Sequence, residues 1–128
     1  MSTLIRADTE RIIERFARAA TGGRPLHALW DYASGKPGAT LMLEFLALAN
    51  NRKVIKPVIG EAGDRIRQAQ LDVIAAAGQE YEIPAAALAF LMTAIPRMID
   101  FEESFGTVTG HAETITLISR FLDEMEPR

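Results

Sequence analysis

The chain has 128 residues, of which 48% are hydrophobic and 24% are charged, and its formal net charge is -3. This length fits one domain with a core of its own, and the composition excludes an intrinsically disordered chain. The acidic balance argues against a nucleic-acid-binding surface. The absence of cysteine from the sequence excludes disulfides, thiolate metal sites and cysteine nucleophiles.

The beginning of the chain is charged and lacks the apolar segment of a signal peptide. The longest uncharged stretch, residues 83–96, is too short to span a bilayer and contains Pro84 and Pro96. Together with the lack of cysteine, these features predict a cytoplasmic protein that does not enter a membrane.

Apolar residues recur at helical spacing along most of the chain, and strand signals are nearly absent. The pattern predicts helices over residues 8–20, 25–33, 39–50, 52–77, 84–101 and 110–125. The glycines after Thr21 and the "SGKPG" segment end the first two helices, and Thr109 is the expected N-cap of the last. The helix over 52–77 is expected to bury a narrow seam formed by Ile55, Ile59, Ala62, Ile66, Ala69 and Val73. We therefore expect a single all-α domain of about six helices.

The last two predicted helices are unusually apolar for a small monomer. Residues 84–96 carry no charge on any side, and the apolar arc of the last helix is widened by Leu117 and Phe121. Such helices are buried either within the core of their own chain or against a partner. We favour the second interpretation, a homodimer, because two-fold dimers are the commonest oligomers. The expected interface residues are Met92, Ile95, Ile99, Ile115, Ile118 and Leu122.

Catalytic and metal-binding motifs are not recognisable in the sequence. The only histidines are His27 and His111, and no cysteine accompanies "HAE" at 111–113 as a zinc deaminase would require. We expect His111, Glu102 and Glu103 to be solvated, and "DEMEPR" at the end to be an exposed, fraying tail. The sequence therefore predicts a protein that is not an enzyme and holds no cofactor or metal.

A cavity between helices is the remaining candidate for a site. Aromatic, thioether and imidazole side chains on three predicted helices are of the kind that lines pockets for varied apolar ligands. A packed core is the alternative for each of them. The predicted ligand-binding residues are His27, Trp30, Met42, Phe45, Leu46 and Phe90.

Glu44 is an isolated acid in the apolar segment "LMLEFLALAN". A buried carboxylate needs a cationic or N–H partner, and Arg52, Arg67 and Arg97 are the candidates. We favour this structural pairing over contact with a ligand, and both over catalysis.

The segment "LMLEFLALANNRKVIKPVIGEAGDRIRQAQ" resembles the central part of the C-terminal domains of TetR-type transcriptional regulators, particularly actinobacterial ones. The closing segment "TGHAETITLISRFLDEM" is similar to the final dimerisation helix of that family. The order of helices agrees over nearly the whole chain, but the N-terminal helix-turn-helix of the family is missing. The resemblance thus implies either an effector domain separated from its DNA-binding part or a stand-alone relative that does not bind DNA.

The resemblance implies a ligand-sensing, dimerising regulatory domain, whose ligand would shift helices joined to a DNA-binding module. The expected partners are a second copy of the chain and an apolar or amphipathic small molecule, with DNA reached only through the missing domain. The first predicted helix would relay the signal. The alternative is a stand-alone helical dimer that acts as a protein-interaction module. A small helical enzyme is the weakest possibility.

Overall fold

The structure, a computed structural model, describes residues 2–19, 23–34, 47, 53 and 56–127. Its elements are α1 (Ser2–Ala19), α2 (Pro25–Ser34), α3 (Lys56–Ala76), α4 (Ala85–Glu103) and α5 (His111–Met125). The all-α prediction is confirmed, since the described residues contain no strand. They form five helices instead of six, and of the remaining predicted helix, over residues 39–50, only residue 47 is among them. Within these ranges, no helix combines the length and the hydropathy that a membrane crossing needs.

The first helix starts earlier than its apolar stripe predicts, at Ser2 instead of near Asp8. Its additional turns are held by Ile5, which is buried against Ala62 at the beginning of α3. The hydroxyl group of Thr9 is also buried and donates a hydrogen bond of 2.7 Å to the carbonyl of Ile5. The side-chain bond satisfies a polar group on the buried face, so a threonine can interrupt the apolar stripe without ending the helix.

The main core lies where α2 and α4 pack along each other, and α1 packs along α3 beside them. The predicted seam of α3 is confirmed in its central part, because Ala62 and Val73 are buried and Ile66 is half-buried. The rings of Phe16 and Tyr32 pack edge-on with their centroids 4.8 Å apart, and this contact joins α1 to α2. The buried core residues are Phe16, Leu26, Leu29, Val73, Ile74, Leu88, Ala89, Met92 and Leu122.

Gln70 is a polar side chain buried within this core. It is 1% exposed, and its Oε1 atom is buried without a hydrogen-bond partner. Because an unsatisfied buried amide is costly, we expect Gln70→Met to raise the free energy of unfolding by about 1–2 kcal/mol in urea denaturation. The control is Gln68→Met on the same helix, where the amide is exposed and bonded to Asp72, so no gain is expected. A less stable Gln70→Met protein would contradict this assignment.

Two backbone features shape the last two helices. Helix α4 continues past Pro96 to Glu103 although proline lacks the N–H that would bond to the carbonyl of Met92. The Pro96 ring is buried. The N-cap of α5 is Gly110, at φ 87°, and not the predicted Thr109. This left-handed conformation, which favours glycine, places residue 110 outside the helix, so the cap stands one position later than predicted.

Candidate functional site

A pocket of about 290 Å³ lies between α2, α4 and α5. This volume is near the lower limit of pockets that hold small organic ligands. We call it the Trp30 pocket, and its lining residues are Trp30, Ser34, Pro96, Ile99, Asp100, Glu103 and Ile115.

One face of α4 forms the longest wall of the Trp30 pocket. Residues 96, 99, 100 and 103 follow the i, i+3, i+4, i+7 spacing of a single helix face. Pro96 and Ile99 supply apolar surface on this wall, whereas Asp100 and Glu103 supply carboxylates. The pocket therefore offers an apolar surface and an acidic surface to the same occupant.

The charge of the pocket is unbalanced. Among the described residues, the two ionisable ones that line it, Asp100 and Glu103, are both acidic. The Oδ2 atom of Asp100 is buried without a hydrogen-bond partner. Since buried carboxylate oxygens are normally satisfied, this atom is an acceptor that has yet to be matched by a donor.

A second cluster of ionisable groups surrounds Glu126, whose side chain is fully buried. Its carboxylate accepts hydrogen bonds of 2.9 Å from the backbone N–H groups of Leu26 and His27. It also accepts one of 2.7 Å from His27 Nδ1 and one of 2.9 Å from the hydroxyl of Tyr81. Because α2 begins at Pro25, the two backbone donors belong to its first turn. Glu126 thus caps α2 from the far end of the chain, at the positive end of the helix dipole.

Arg24 fixes the proton arrangement around His27. Its Nη2 atom lies 2.7 Å from His27 Nε2, and a guanidinium can only donate. His27 Nε2 therefore acts as the acceptor, which leaves the proton on Nδ1 for the bond to Glu126. Arg24 Nε also donates to the backbone carbonyl of Glu126 at 3.1 Å.

The Glu126 cluster has the residue types of an acid–base site, but its geometry is that of a structural clamp. Four donors occupy the carboxylate, so none of its bonding capacity is directed towards a substrate. The expectation of an exposed, fraying tail is wrong at this position, because the first turn of α2 and Tyr81 provide partners that compensate burial of the charge.

The pKa of Tyr81 is raised above its ordinary value of 10.0, first by burial, then by the hydrogen bond to Glu126 and its charge. Just above pH 10, the Tyr81 hydroxyl therefore keeps its proton in the folded protein and loses it in the unfolded chain. The resulting stabilisation is complete below pH 10 and is lost as the pH rises beyond it. We expect the free energy of unfolding to fall above pH 10, and to fall less steeply in Tyr81→Phe.

The second tyrosine provides the comparison for this pH effect. Burial also raises the pKa of Tyr32, although nearby arginines oppose the shift. Ultraviolet absorbance of the phenolate in Tyr32→Phe and Tyr81→Phe assigns the two titrations, because the chain has only these two tyrosines. Equal pH slopes for wild type and Tyr81→Phe would show that Glu126 does not control the phenol.

The structure separates the predicted ligand-binding residues. Trp30 lines the pocket, whereas His27 faces Glu126 on another side of α2. Phe90 is 55% exposed and lies beneath the guanidinium of Arg67 at 5.4 Å, away from the pocket lining. The other three predicted residues, Met42, Phe45 and Leu46, lie outside the described residues.

Glu44 and Arg52 also lie outside the described residues, so the pairing of Glu44 stays a prediction. Two of its candidate partners have electrostatic environments of their own. Burial lowers the pKa of Arg67, and burial together with the charge of Arg67 lowers that of Arg97. Both guanidiniums would therefore gain from a nearby negative charge.

Of the six predicted dimer residues, two are buried, three are half-buried and Ile115 is 41% exposed. Met92 and Leu122 are buried in the chain's own core, and Ile118 packs against it. Ile99 and Ile115 line the Trp30 pocket, and Ile95 is half-buried. On α4, the exposed Leu91 and Met98 stand one position before the predicted Met92 and Ile99.

Exposed and half-buried apolar side chains of α4, together with Phe105 just beyond its end, form a regular seam. Its members step by four and three residues alternately and face away from the buried side of the helix. Leu91, Met98, Phe101 and Phe105 are each at least 39% exposed. We call this surface the α4 seam, and its residues are Ala87, Leu91, Ala94, Met98, Phe101 and Phe105.

His111 is buried, contrary to the expectation that it is solvated. Its Nε2 atom lies 2.8 Å from Glu102 Oε1, so these two residues tie the start of α5 to the end of α4. The local sequence does not predict this contact, because the contact depends on the conformation of the turn over residues 104–110.

Metal binding has no support in the described part of the chain, where no group of three or more His, Asp or Glu side chains could hold an ion. The chain matches no protein-family model, no curated protein and no solved structure.

Proposed function

We propose that this chain is a ligand-sensing, dimerising regulatory domain. The observation that supports it best is the double role of α4. One face of this helix forms the wall of the Trp30 pocket, and another carries the α4 seam. A ligand that shifts or tightens α4 would therefore act on a surface that meets a partner.

The size of the exposed apolar surface supports a second copy as that partner. With the neighbouring Phe90 and Val108, the α4 seam exposes roughly 700 Å² of side chain, since one large apolar side chain offers on the order of 200 Å². Monomers rarely expose a patch above about 600 Å². A standard interface buries about 800 Å² on each partner, so the seam is large enough to form most of one.

A route from the pocket to the N-terminal helix supports the regulatory part of the proposal. Trp30 and Tyr32 lie on the same short helix, and the Tyr32 ring contacts Phe16 of α1. In a TetR-like regulator, α1 would pass the change to a DNA-binding module. Allosteric coupling then requires that ligand and DNA favour different positions of α1.

Sedimentation velocity and thermal unfolding of the wild-type chain test this proposal. We expect a dimer, and an increase in Tm when small amphipathic molecules are screened. A monomer at all concentrations would contradict dimerisation, and the absence of any stabilising molecule would contradict ligand sensing.

The alternative is a stand-alone protein-interaction module, which the exposed α4 seam also favours. In that case the seam binds a different protein, and the pocket has no ligand. A dimeric chain that is stabilised by a small molecule would decide against this alternative.

A further inference from the structure

We propose that the Trp30 pocket binds an organic cation, an amphipathic amine or quaternary ammonium group, with Asp100 as its counter-charge. This inference names the ligand class of the pocket and therefore rests on the proposed function. It follows from four properties of the lining: the sign of its charge, an unmatched acceptor, an aromatic ring and apolar walls.

The negative charge of the pocket lining favours a cationic ligand. The ionisable side chains that the described residues contribute to the lining are those of Asp100 and Glu103, which stand one helical turn apart on the same wall. An anionic ligand would be repelled by both. A neutral ligand would remove water from the two carboxylates without replacing its hydrogen bonds, which is costly. A cation replaces those bonds and lowers the local negative charge.

Asp100 is the carboxylate that we expect to make the direct contact. Its Oδ2 atom is buried and has no hydrogen-bond partner. Because this oxygen has almost no accessible surface, a donor in the pocket reaches it only when the Asp100 side chain turns towards the pocket, and it then gains a charge-assisted hydrogen bond. Glu103 is more exposed and contributes chiefly through its charge.

Trp30 and the apolar walls favour an organic cation over a metal ion. An indole ring attracts cations through its face, most strongly when water is excluded. Pro96, Ile99 and Ile115 would contact hydrocarbon, whereas a hydrated metal ion would gain nothing from them. The pocket therefore suits a ligand with one cationic head and a short apolar body.

The test uses fluorescence, because Trp30 is the only tryptophan. The probes are hexyltrimethylammonium, hexanol and hexyl sulfate, which share a chain and differ in charge. We expect a saturable change with the ammonium probe, binding about tenfold weaker for hexanol, and no binding of the sulfate. Equal affinities for the ammonium probe and hexanol, or no binding at all, would overturn the inference.

Asp100→Asn tests the counter-charge. It should weaken binding of the ammonium probe about tenfold and leave that of hexanol unchanged. Asp64→Asn, an exposed acid on α3, is the matched control and should bind like the wild type. If Asp100→Asn does not fold, Glu103→Gln replaces it with an expected loss of about threefold. Unchanged affinity in the variant that is tested would overturn the role of the acids.

The same samples separate this inference from the proposed function. A dimer that binds hexanol as well as the ammonium probe removes the cation specificity and leaves a ligand-sensing dimer. A monomer that binds the ammonium probe with the expected variant effects removes dimerisation and keeps the cation pocket.

Discussion

Glu126→Gln is expected to lower the free energy of unfolding by about 3 kcal/mol. The amide places an NH₂ group at one of the two positions where the carboxylate accepts bonds. One position faces the N–H of Leu26 and the other faces the N–H of His27, and a backbone N–H cannot become an acceptor. Either orientation therefore sets donor against donor in a fully buried place. Chemical denaturation followed by circular dichroism measures the loss.

The matched control for this change is Asp123→Asn. Asp123 is 72% exposed and its Oδ1 atom lies 3.5 Å from Arg24 Nη2, so it belongs to the same network without being buried. We expect an effect below about 0.5 kcal/mol, as for most exposed ion pairs. If Glu126→Gln were as stable as Asp123→Asn, the first turn of α2 would not depend on the carboxylate.

Met98→Glu in the α4 seam is expected to weaken the proposed dimer by at least about a hundredfold, because it leaves a charge in an apolar interface without a partner. Met98 is central in the seam and 56% exposed, so the monomer can accommodate glutamate. Sedimentation should show a monomer at concentrations where the wild type is a dimer. Circular dichroism checks that the fold is intact.

Leu117→Glu controls for the general effect of an added charge. Leu117 is 62% exposed on α5 and is not part of the α4 seam. The variant should remain a dimer. Dissociation of Leu117→Glu together with a stable Met98→Glu dimer would move the interface to α5, closer to the predicted one.

Helical periodicity predicted most of the fold that the structure describes. Four of the predicted ranges contain α2, α3, α4 and α5 to within a few residues, since a buried stripe and a proline or glycine boundary are local properties. The range of α1 was too short because Ile5 is buried by Ala62, which is distant in sequence. Local patterns do not report such a contact.

The candidate site was less predictable than the helices. Trp30 was recognised from its residue type, but Asp100 and Glu103 have the same spacing as acids on a solvated helix face. Only the position of α2 beside α4 turns that face into a pocket wall. The absence of charge from residues 84–96 led us to predict a second burial surface on this helix. Which of its side chains are exposed could not be predicted, because that depends on which face of the helix packs against the core.

The cap that Glu126 provides for α2 also constrains the order in which the chain can fold. The two bonded positions, Leu26 and Glu126, are 100 residues apart. During synthesis, the first turn of α2 leaves the ribosome long before its acceptor is made, so its N–H groups must be satisfied by water in the meantime. Docking of the segment around Glu126 thus completes the cap of α2 as a late step. Folding that begins before synthesis is complete therefore proceeds with α2 uncapped.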